Sequence, residues 1–410
     1  MTEQQFFYLI IAIVVADFVL ERTLSFLNRK NARQPIPNEL DGIYDEESYQ
    51  KSQQYNDEVG RFSTISSIFS FVLLLAALIF GWFGIVDSWI RSFSPFDMVT
   101  SLLFFAVLMV IMDLISIPFS LYRNFVIEEK YGFNKMTAKT FILDKLKGYV
   151  LTAIIGGILL AVLIYMVNSI GSGFWWYFWI VITGFTLVMN LFYTSWILPL
   201  FNKLRPVEEG ELRSSIESFS QKVNFPLKNI FVMDGSKRSS KGNAFFSGLG
   251  SRKKVVLFDT LIDKHNVEEL TAVFAHEVGH FKKKHILVST VIAIAQSGLM
   301  LYLLSLMIYN SEVSWAMGGS ITSIHLNILA FGILYTPVSH LMGIATNIIS
   351  RKHEYEADAY ARDKYAGEPL ILALKKMSAD HLTNLTPHPA FVFVHYSHPP
   401  LLHRIRALSA

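Results

Sequence analysis

Apolar residues in this chain are concentrated in blocks of about 20 residues, the length of helix that crosses a hydrocarbon core roughly 30 Å thick. Seven blocks are present, near residues 5–22, 63–87, 98–121, 149–169, 174–198, 286–308 and 323–349. With 52% hydrophobic and only 17% charged residues, the chain has more apolar surface than a soluble domain usually buries. We therefore predict a mainly α-helical, polytopic membrane protein with seven transmembrane helices.

The distribution of basic residues predicts how these helices are oriented. Lys and Arg crowd the loops after the first, third, fifth and seventh blocks, whereas the intervening loops carry Arg91 and otherwise no Lys or Arg. The positive-inside rule then places the N-terminus outside and the C-terminus in the cytosol. The chain contains no cysteine, so disulfides and thiolate ligands are excluded, and nitrogen and oxygen must hold any metal.

Polar segments divide the chain into four parts. We predict transmembrane helices 1–5 in 1–198, a small cytosolic α+β insertion in 199–283, two further transmembrane helices in 284–350, and a cytosolic helical segment in 351–410. Cytosolic loops are predicted at 28–61, where prolines favour an extended entry, and at 123–148, with a short helix near 136–147.

The insertion shows its own pattern of short elements. We predict a helix at 207–223, strands at 229–233 and 253–258, and a short strand followed by a turn within 239–248. Asn266, with Glu269 three residues later, is typical of a helix N-cap, and the helix that it begins leads into the sixth apolar block.

That helix carries the sequence His276-Glu277-Val278-Gly279-His280. Two histidines four residues apart share one helical face, so both imidazoles can meet one tetrahedral zinc while Glu277 is free to act as general base. The motif is short enough to occur by chance and needs a third ligand. We reject His285 as that ligand because it lies about 140° around the helix from His280, and we interpret it as an interfacial polar residue.

A third ligand is predicted just after the seventh block. Glu354 and Asp358 are four residues apart and share a helical face, whereas His353 and Glu356 turn away from it. We assign Glu354 as the third zinc ligand and Asp358 as an acceptor that orients a zinc histidine. The alternative is a solvated acidic face, but the pair follows a membrane block on the same side as the histidine motif.

These residues carry a resemblance to a known family. The sequence HEVGH, followed after one span by SRKHEYEADAYA, resembles the Ste24-type CAAX prenyl proteases, which are membrane zinc metalloproteases. Segments 37–52, 125–134, 239–246, 256–261 and 396–402 are also similar to that family, so the resemblance covers nearly the whole chain.

The resemblance implies a ring of seven helices around a large water-filled chamber, with zinc at its cytosolic end. It implies that Asn243 and Ala244 belong to an edge strand that pairs with extended substrate, although an ordinary hairpin strand is the alternative. It places His398 and Arg404 near the zinc. There His398 would act in catalysis by stabilising an oxyanion, and Arg404 would help to bind substrate or to position His398; the alternative for 397–400 is a plain helix start.

We therefore predict a zinc metalloendopeptidase with one Zn²⁺ per chain, held by His276, His280 and Glu354. Its partners would be the lipid bilayer and peptide or protein substrates, including proteins prenylated at a C-terminal CAAX motif, and no nucleic acid. The compact, cysteine-free chain favours a bacterial homologue in the inner membrane, acting on unprenylated or misfolded membrane proteins. A eukaryotic member would lie in the endoplasmic reticulum membrane.

A different class of protein remains open at this point, a multi-span transporter or channel with a structural zinc site. Asp17 and Asp113 lie in or near predicted spans, where a carboxylate is costly unless paired or facing water. They would be coupling-ion sites in a transporter and would line the aqueous interior of a chambered protease. Glu277 distinguishes the two classes, because a structural zinc site does not need it.

Overall fold

Helices form most of the computed structural model, which describes residues 1–225, 230–248 and 254–410. The helices are α1 Glu3–Asn31, α2 Glu46–Ile79, α3 Trp82–Arg91, α4 Asp97–Tyr122, α5 Ala138–Leu151, α6 Gly157–Ile170, α7 Phe174–Trp196, α8 Leu198–Phe201, α9 Glu211–Lys222, α10 Asp259–Ile262, α11 Val267–Lys282, α12 His285–Ser305, α13 Ser311–Ala316, α14 Ile324–Leu334, α15 Thr336–Lys364, α16 Gly367–Asp380, α17 Pro389–His395 and α18 Leu401–Ser409. The strands are β1 Leu204–Pro206, β2 Ile230–Met233, β3 Ala244–Ser247 and β4 Lys254–Phe258.

The predicted apolar blocks coincide with helices, but two of them are interrupted. The second block breaks at Gly81, which has a positive φ of 64°, and the seventh bends by 51° between α14 and α15. Within the described residues, four helical stretches are long and apolar enough to cross a membrane, or five if the bent pair is one span. A multi-pass membrane protein is confirmed, whereas the count of seven spans is not established by these lengths.

The polar segments contain more helix than the sequence predicts. Helix α2 begins at Glu46, where the Asp45 side chain accepts a hydrogen bond from the Ser48 backbone at 2.7 Å, and runs unbroken into the apolar block. The polar segment 28–61 thus has the predicted extended entry at its prolines, while its second half is helical. The helix predicted near 136–147 is present as α5, and wider helical turns at 152–156 continue it into α6.

The insertion folds as a four-stranded sheet with the order β1-β2-β4-β3. Strands β2 and β4 are parallel, whereas β1 and β3 pair antiparallel with their neighbours, which leaves β3 at one edge. The predicted helix at 207–223 is confirmed as α9, and the short strand within 239–248 is β3. The first residues of the two other predicted strands, Asn229 and Lys253, lie outside the described residues.

One hydrophobic core joins the insertion to the C-terminal segment. It includes Leu257 of β4, Phe274 of α11, Ala361 of α15, Leu370 of α16 and Ile405 of α18, all buried. Because these helices share one close-packed interior, they hold α11 against α15 in a fixed position.

Two adjoining cavities of about 730 Å³ each lie among α1, α2, α4 and the C-terminal segment, in the part of the protein where the resemblance implies a chamber. Both are lined by Arg22, Ser63 and Arg123. Asp17 lines the first and lies 2.6 Å from His340, whereas Asp113 is paired with Lys145 at 2.6 Å. Each membrane carboxylate therefore has a basic or imidazole partner.

Helix α3 approaches the turn after α13 so closely that only glycine fits. A Cβ added to Gly84 would lie 1.8 Å from the carbonyl oxygen of Gly318. We expect Gly84→Ala to destabilise the protein by about 1–3 kcal/mol or more, because the backbones must separate. Thermal unfolding in detergent measures this effect. Gly184→Ala, where a Cβ meets nothing within 4 Å, should unfold like the wild type; equal melting of both variants would contradict the close contact.

Candidate metal centre

Helix α11 begins at the predicted cap and is buried along most of its length. The Asn266 side chain accepts a hydrogen bond from the Glu269 backbone at 2.8 Å, which confirms the N-cap. The Glu269 carboxylate is itself buried and lies 2.6 Å from Lys376 of α16. The beginning of α11 is thereby attached to the C-terminal segment, and the two histidines of its last turns face α15.

The structure brings together the three residues predicted as metal ligands. His276 Nε2 and His280 Nε2 are 3.0 Å apart, and they lie 3.6 Å and 3.2 Å from the carboxylate oxygens of Glu354. Two ligands of a tetrahedral zinc, each about 2.1 Å from the metal, are roughly 3.4 Å apart. The three distances therefore match the spacing that one zinc ion requires.

The Nε2 atoms of both histidines face Glu354, because the Nδ1 atom of each ring has another partner, Asp358 for His276 and His285 for His280. His276 Nδ1 lies 2.9 Å from Asp358, and an ionised carboxylate only accepts, so Nδ1 carries the proton. Burial lowers the pKa of His276, but hydrogen bonds to Asp358 and Glu354 outweigh it and raise the pKa to about 9. The Oε2 atom of Glu354 is buried and has no hydrogen-bond partner among the described residues. Together these features favour a positive charge between the three side chains, and the donor set fits zinc.

Arg404 is buried behind the metal ligands. Its guanidinium donates to both oxygens of Asp358, at 2.8 Å and 2.6 Å, and lies 3.3 Å from Glu354. Burial lowers the pKa of Arg404, but the neighbouring carboxylates outweigh it and raise the pKa above its ordinary value. Arg404 and Asp358 thus form a bidentate pair that fixes the carboxylate against His276.

Two further predicted residues lie on the open side of this group. His398 is exposed, and its Nε2 lies 3.4 Å from Glu354 while its Nδ1 lies 3.0 Å from the Ser397 hydroxyl. Glu277 is partly exposed, and its side chain forms no hydrogen bond or ion pair with any described residue. Both side chains can therefore meet a substrate without first breaking a strong contact.

His285 is buried beside a predicted metal ligand, which differs from the position that the sequence suggested. It lies outside the group of three ligands, but it is buried, and its Nδ1 lies 2.9 Å from Nδ1 of His280. Its Nε2 lies 3.0 Å from Glu356, and its ring stacks on His353. The interpretation as an interfacial polar residue is wrong. In this position His285 can orient the predicted ligand His280, as Asp358 can orient His276.

Gly279, within the histidine motif, allows α11 to approach α15. A Cβ at this position would lie 3.0 Å from both the Cα and the carbonyl oxygen of Ala357, which is fully buried. The two small residues bring the backbones close enough for ligands from both helices to converge. Sequence spacing explains the histidines but carries no signal for this contact, because Ala357 is 78 residues away along the chain.

Asn243 and Ala244 lie at the beginning of the edge strand β3. The carbonyl of Asn243 accepts a hydrogen bond from Phe258 at 3.0 Å, and Ala244 is in register with Leu257 of β4. Strand β3 also packs against α11. The edge strand of the sheet is therefore in contact with the metal helix.

Comparisons with known proteins agree over the whole chain. The family model for the CAAX prenyl protease N-terminal region with five membrane helices matches residues 25–203, and that for peptidase family M48 matches residues 206–410. CAAX prenyl protease 1 of Saccharomyces cerevisiae is 33% identical over 96% of this chain and 93% of its own length. The human CAAX prenyl protease 1 homolog is 32% identical, over 91% and 88%. The crystal structure of S. mikatae Ste24p matches with a TM-score of 0.93 and 32% identity, over 99% of both chains.

Replacement of Glu354 by Gln tests the third ligand. We expect zinc affinity to fall by more than the roughly 10- to 100-fold that is typical when an outer partner of a ligand is lost. Competition with a chelator measures the affinity of the purified protein. Asp363→Asn makes the same charge change on an exposed face of α15 and should bind zinc like the wild type. Full affinity in Glu354→Gln would remove this residue from the site.

Gly279→Ala tests the approach of the two helices. The added methyl group must push α11 away from α15, so we expect lower zinc affinity together with a loss of about 1–3 kcal/mol in stability. Gly343→Ala, on α15 with nothing within 4 Å of the added Cβ, is the matched control. Wild-type zinc affinity and melting temperature in Gly279→Ala would show that the contact does not set the ligand geometry.

Proposed function

The chain belongs to the Ste24-type CAAX prenyl protease family of M48 peptidases and is therefore a membrane metalloprotease, and we propose that its metal is zinc, held by His276, His280 and Glu354. The observation that carries this assignment is the convergence of the three donor atoms within 4.8 Å of one another, with Glu277 next to His276 in the chain. A structural zinc site would have no use for this carboxylate. When bound, zinc supplies Lewis-acid chemistry, because it polarises a carbonyl group and makes a water molecule more acidic.

Glu277 is proposed as the general base. Its carboxylate takes a proton from the attacking water and then delivers that proton to the amine that leaves. The position of Glu277, one residue after His276 and partly exposed, supports this role. Arg404 is close enough for its positive charge to interact with the Glu277 carboxylate.

His398 is proposed to act on the substrate carbonyl. From its exposed position beside Glu354, the imidazole can donate a hydrogen bond to the oxygen on which negative charge develops. For Arg404 the sequence suggested substrate binding or the positioning of His398. Its contacts support a positioning role, in which the guanidinium holds Asp358 and Glu354 in place and does not itself contact the substrate.

Extended peptide is proposed to bind along the free edge of β3. Main-chain hydrogen bonds from the region of Asn243 and Ala244 would align a substrate strand with little regard for its side chains. The prenylated CAAX sequence is proposed as the substrate class, since similar proteins carry that name. A wider range that includes unprenylated or misfolded membrane proteins is proposed for a bacterial source, for which the compact chain without cysteine is the support.

The active site is proposed to lie on the cytosolic side of the membrane. Lys282, Lys283 and Lys284 separate the metal helix from α12, and basic residues near the end of a span favour the cytosolic face. For a bacterial chain this membrane is the inner membrane.

Zinc-dependent cleavage of a farnesylated CAAX peptide tests the proposed mechanism. We expect Glu277→Gln to lower kcat by about 100-fold or more, because the amide cannot take the proton of water. The measurement compares wild type and variant at saturating zinc, together with their zinc content, which should be equal. A chelator should abolish wild-type cleavage and added zinc should restore it.

Two results would contradict the proposal. Equal cleavage by Glu277→Gln and wild type would remove Glu277 from the reaction. Absence of zinc-dependent cleavage of both farnesylated and unmodified peptides by a zinc-loaded wild type would remove the peptidase assignment of this site.

A further inference from the structure

The second cavity carries an excess of positive charge. Its lining includes Arg22, Arg29, Arg33 and Arg123, whereas its only carboxylate among the described residues is Asp57. In a cleft of about 730 Å³, charges of one sign attract a ligand of the other sign more strongly than they would on a flat surface. The cavity is therefore suited to an anionic group.

Asp57 satisfies only part of this positive charge. It lies 2.8 Å from Arg29, 3.6 Å from Arg33 and 2.8 Å from Arg61, which lies outside the lining. Three guanidinium groups thus share one carboxylate. Arg22 and Arg123, the other two arginines of the lining, form no ion pair with Asp57.

Arg22 is the least satisfied of these side chains. Its Nε is buried without a hydrogen-bond partner, and no ion pair of Arg22 is found in the described part of the chain. Its guanidinium carbon lies 6.0 Å from the centroid of the Phe18 ring. A partly buried guanidinium without a counter-ion is costly, so a bound anion would complete this site.

Arg123 is also available to bind an anion, because its acidic neighbour has other partners. Its acidic neighbour Glu128 is 3.6 Å away and also meets Lys241 at 3.3 Å and the Tyr55 hydroxyl at 2.9 Å. Arg123 and Arg22 line both cavities, so they stand where the two spaces adjoin. Two guanidinium groups at one junction supply the charge and the hydrogen-bond donors that a carboxylate requires.

This junction is connected to the metal centre by a short piece of chain. Glu21, next to Arg22, lies 3.5 Å from His395 at the end of α17. The three residues from His395 to His398 span at most roughly 11 Å, and Tyr396 between them lines the second cavity. This segment therefore leads from the neighbourhood of the arginines towards the metal centre.

We propose that Arg22 and Arg123 bind the C-terminal carboxylate of the peptide substrate, so that the enzyme measures the distance from the chain end to the cleaved bond. This inference rests on the proposed peptidase function. An anionic lipid headgroup offers a related charge. The peptide terminus is favoured because the arginines line a cavity that reaches the segment bearing His398, rather than the outer surface of a span.

A pair of substrates tests the inference on the zinc-loaded, full-length protein in neutral detergent. One is a farnesylated CAAX peptide with a free carboxylate, and the other is the same peptide as a C-terminal amide. We expect the amide to have a KM about tenfold higher with wild type, because a charge-assisted hydrogen bond is lost. Arg22→Gln and Arg123→Gln should each raise KM for the acid by a similar factor and remove the preference over the amide.

Arg61→Gln is the matched control. It removes an arginine that pairs with Asp57 but lies outside both cavities, so it should keep the wild-type preference for the acid. Equal KM values for acid and amide with wild type would overturn the inference while leaving the peptidase function intact. The inference would also be overturned if both arginine variants slowed acid and amide equally, since that pattern indicates a structural role.

A further arm separates the lipid from the peptide terminus. Phosphatidylserine added to the detergent should leave the acid preference of wild type in place. If it raised KM for both peptides in wild type but not in Arg22→Gln, a lipid headgroup would be the ligand and the inference would be wrong. Failure of wild type to cut either peptide would instead overturn the proposed function, and this inference with it.

Discussion

The close packing of α11 on α15 is the contact on which the whole site depends. His276 and His280 come from one helix and Glu354 and Asp358 from the other, so no ligand set exists until the two backbones meet at Gly279 and Ala357. Each helix is held independently, α11 by the core of the insertion and α15 by the C-terminal helices that share that core. Because such interiors resist compression, the ligand spacing is set before any metal arrives.

The charges of the centre are matched to a divalent cation. The three carboxylates of Glu277, Glu354 and Asp358 face the single guanidinium of Arg404, which leaves two negative charges at a mostly buried site. Uncompensated charge in such a place is costly. A divalent cation, such as the proposed zinc, compensates both charges, whereas without a metal the neighbouring carboxylates raise the pKa of His276 and so favour its protonated form. The carboxylates that give the site its affinity for a metal are thus the same ones whose charge the metal neutralises.

Sequence reasoning succeeded where the signal is local and failed where it is not. Helical spacing places His276 and His280 on one face, and hydrophobic length locates the helices, because both depend on neighbours within a turn or a span. The role of His285 was missed, since its ring meets His280 across the turn at Lys284, which has a positive φ of 61° that periodicity does not anticipate. The contacts of Gly84 with Gly318 and of Gly279 with Ala357 join distant segments, which no local pattern encodes.

The helices that carry the ligands are also continuous with the membrane part of the protein. His280 precedes the apolar helix α12 by five residues, and Glu354 lies on α15, whose first half belongs to a candidate span. Between Thr336 and Glu354 this helix rises about 27 Å, close to the thickness of a hydrocarbon core. In the proposed membrane topology, the length of this helix then sets the height of the metal site relative to the bilayer. A lipid-anchored substrate of the proposed class would present its adjoining peptide at that same height, and this supports the proposed reaction at the membrane boundary.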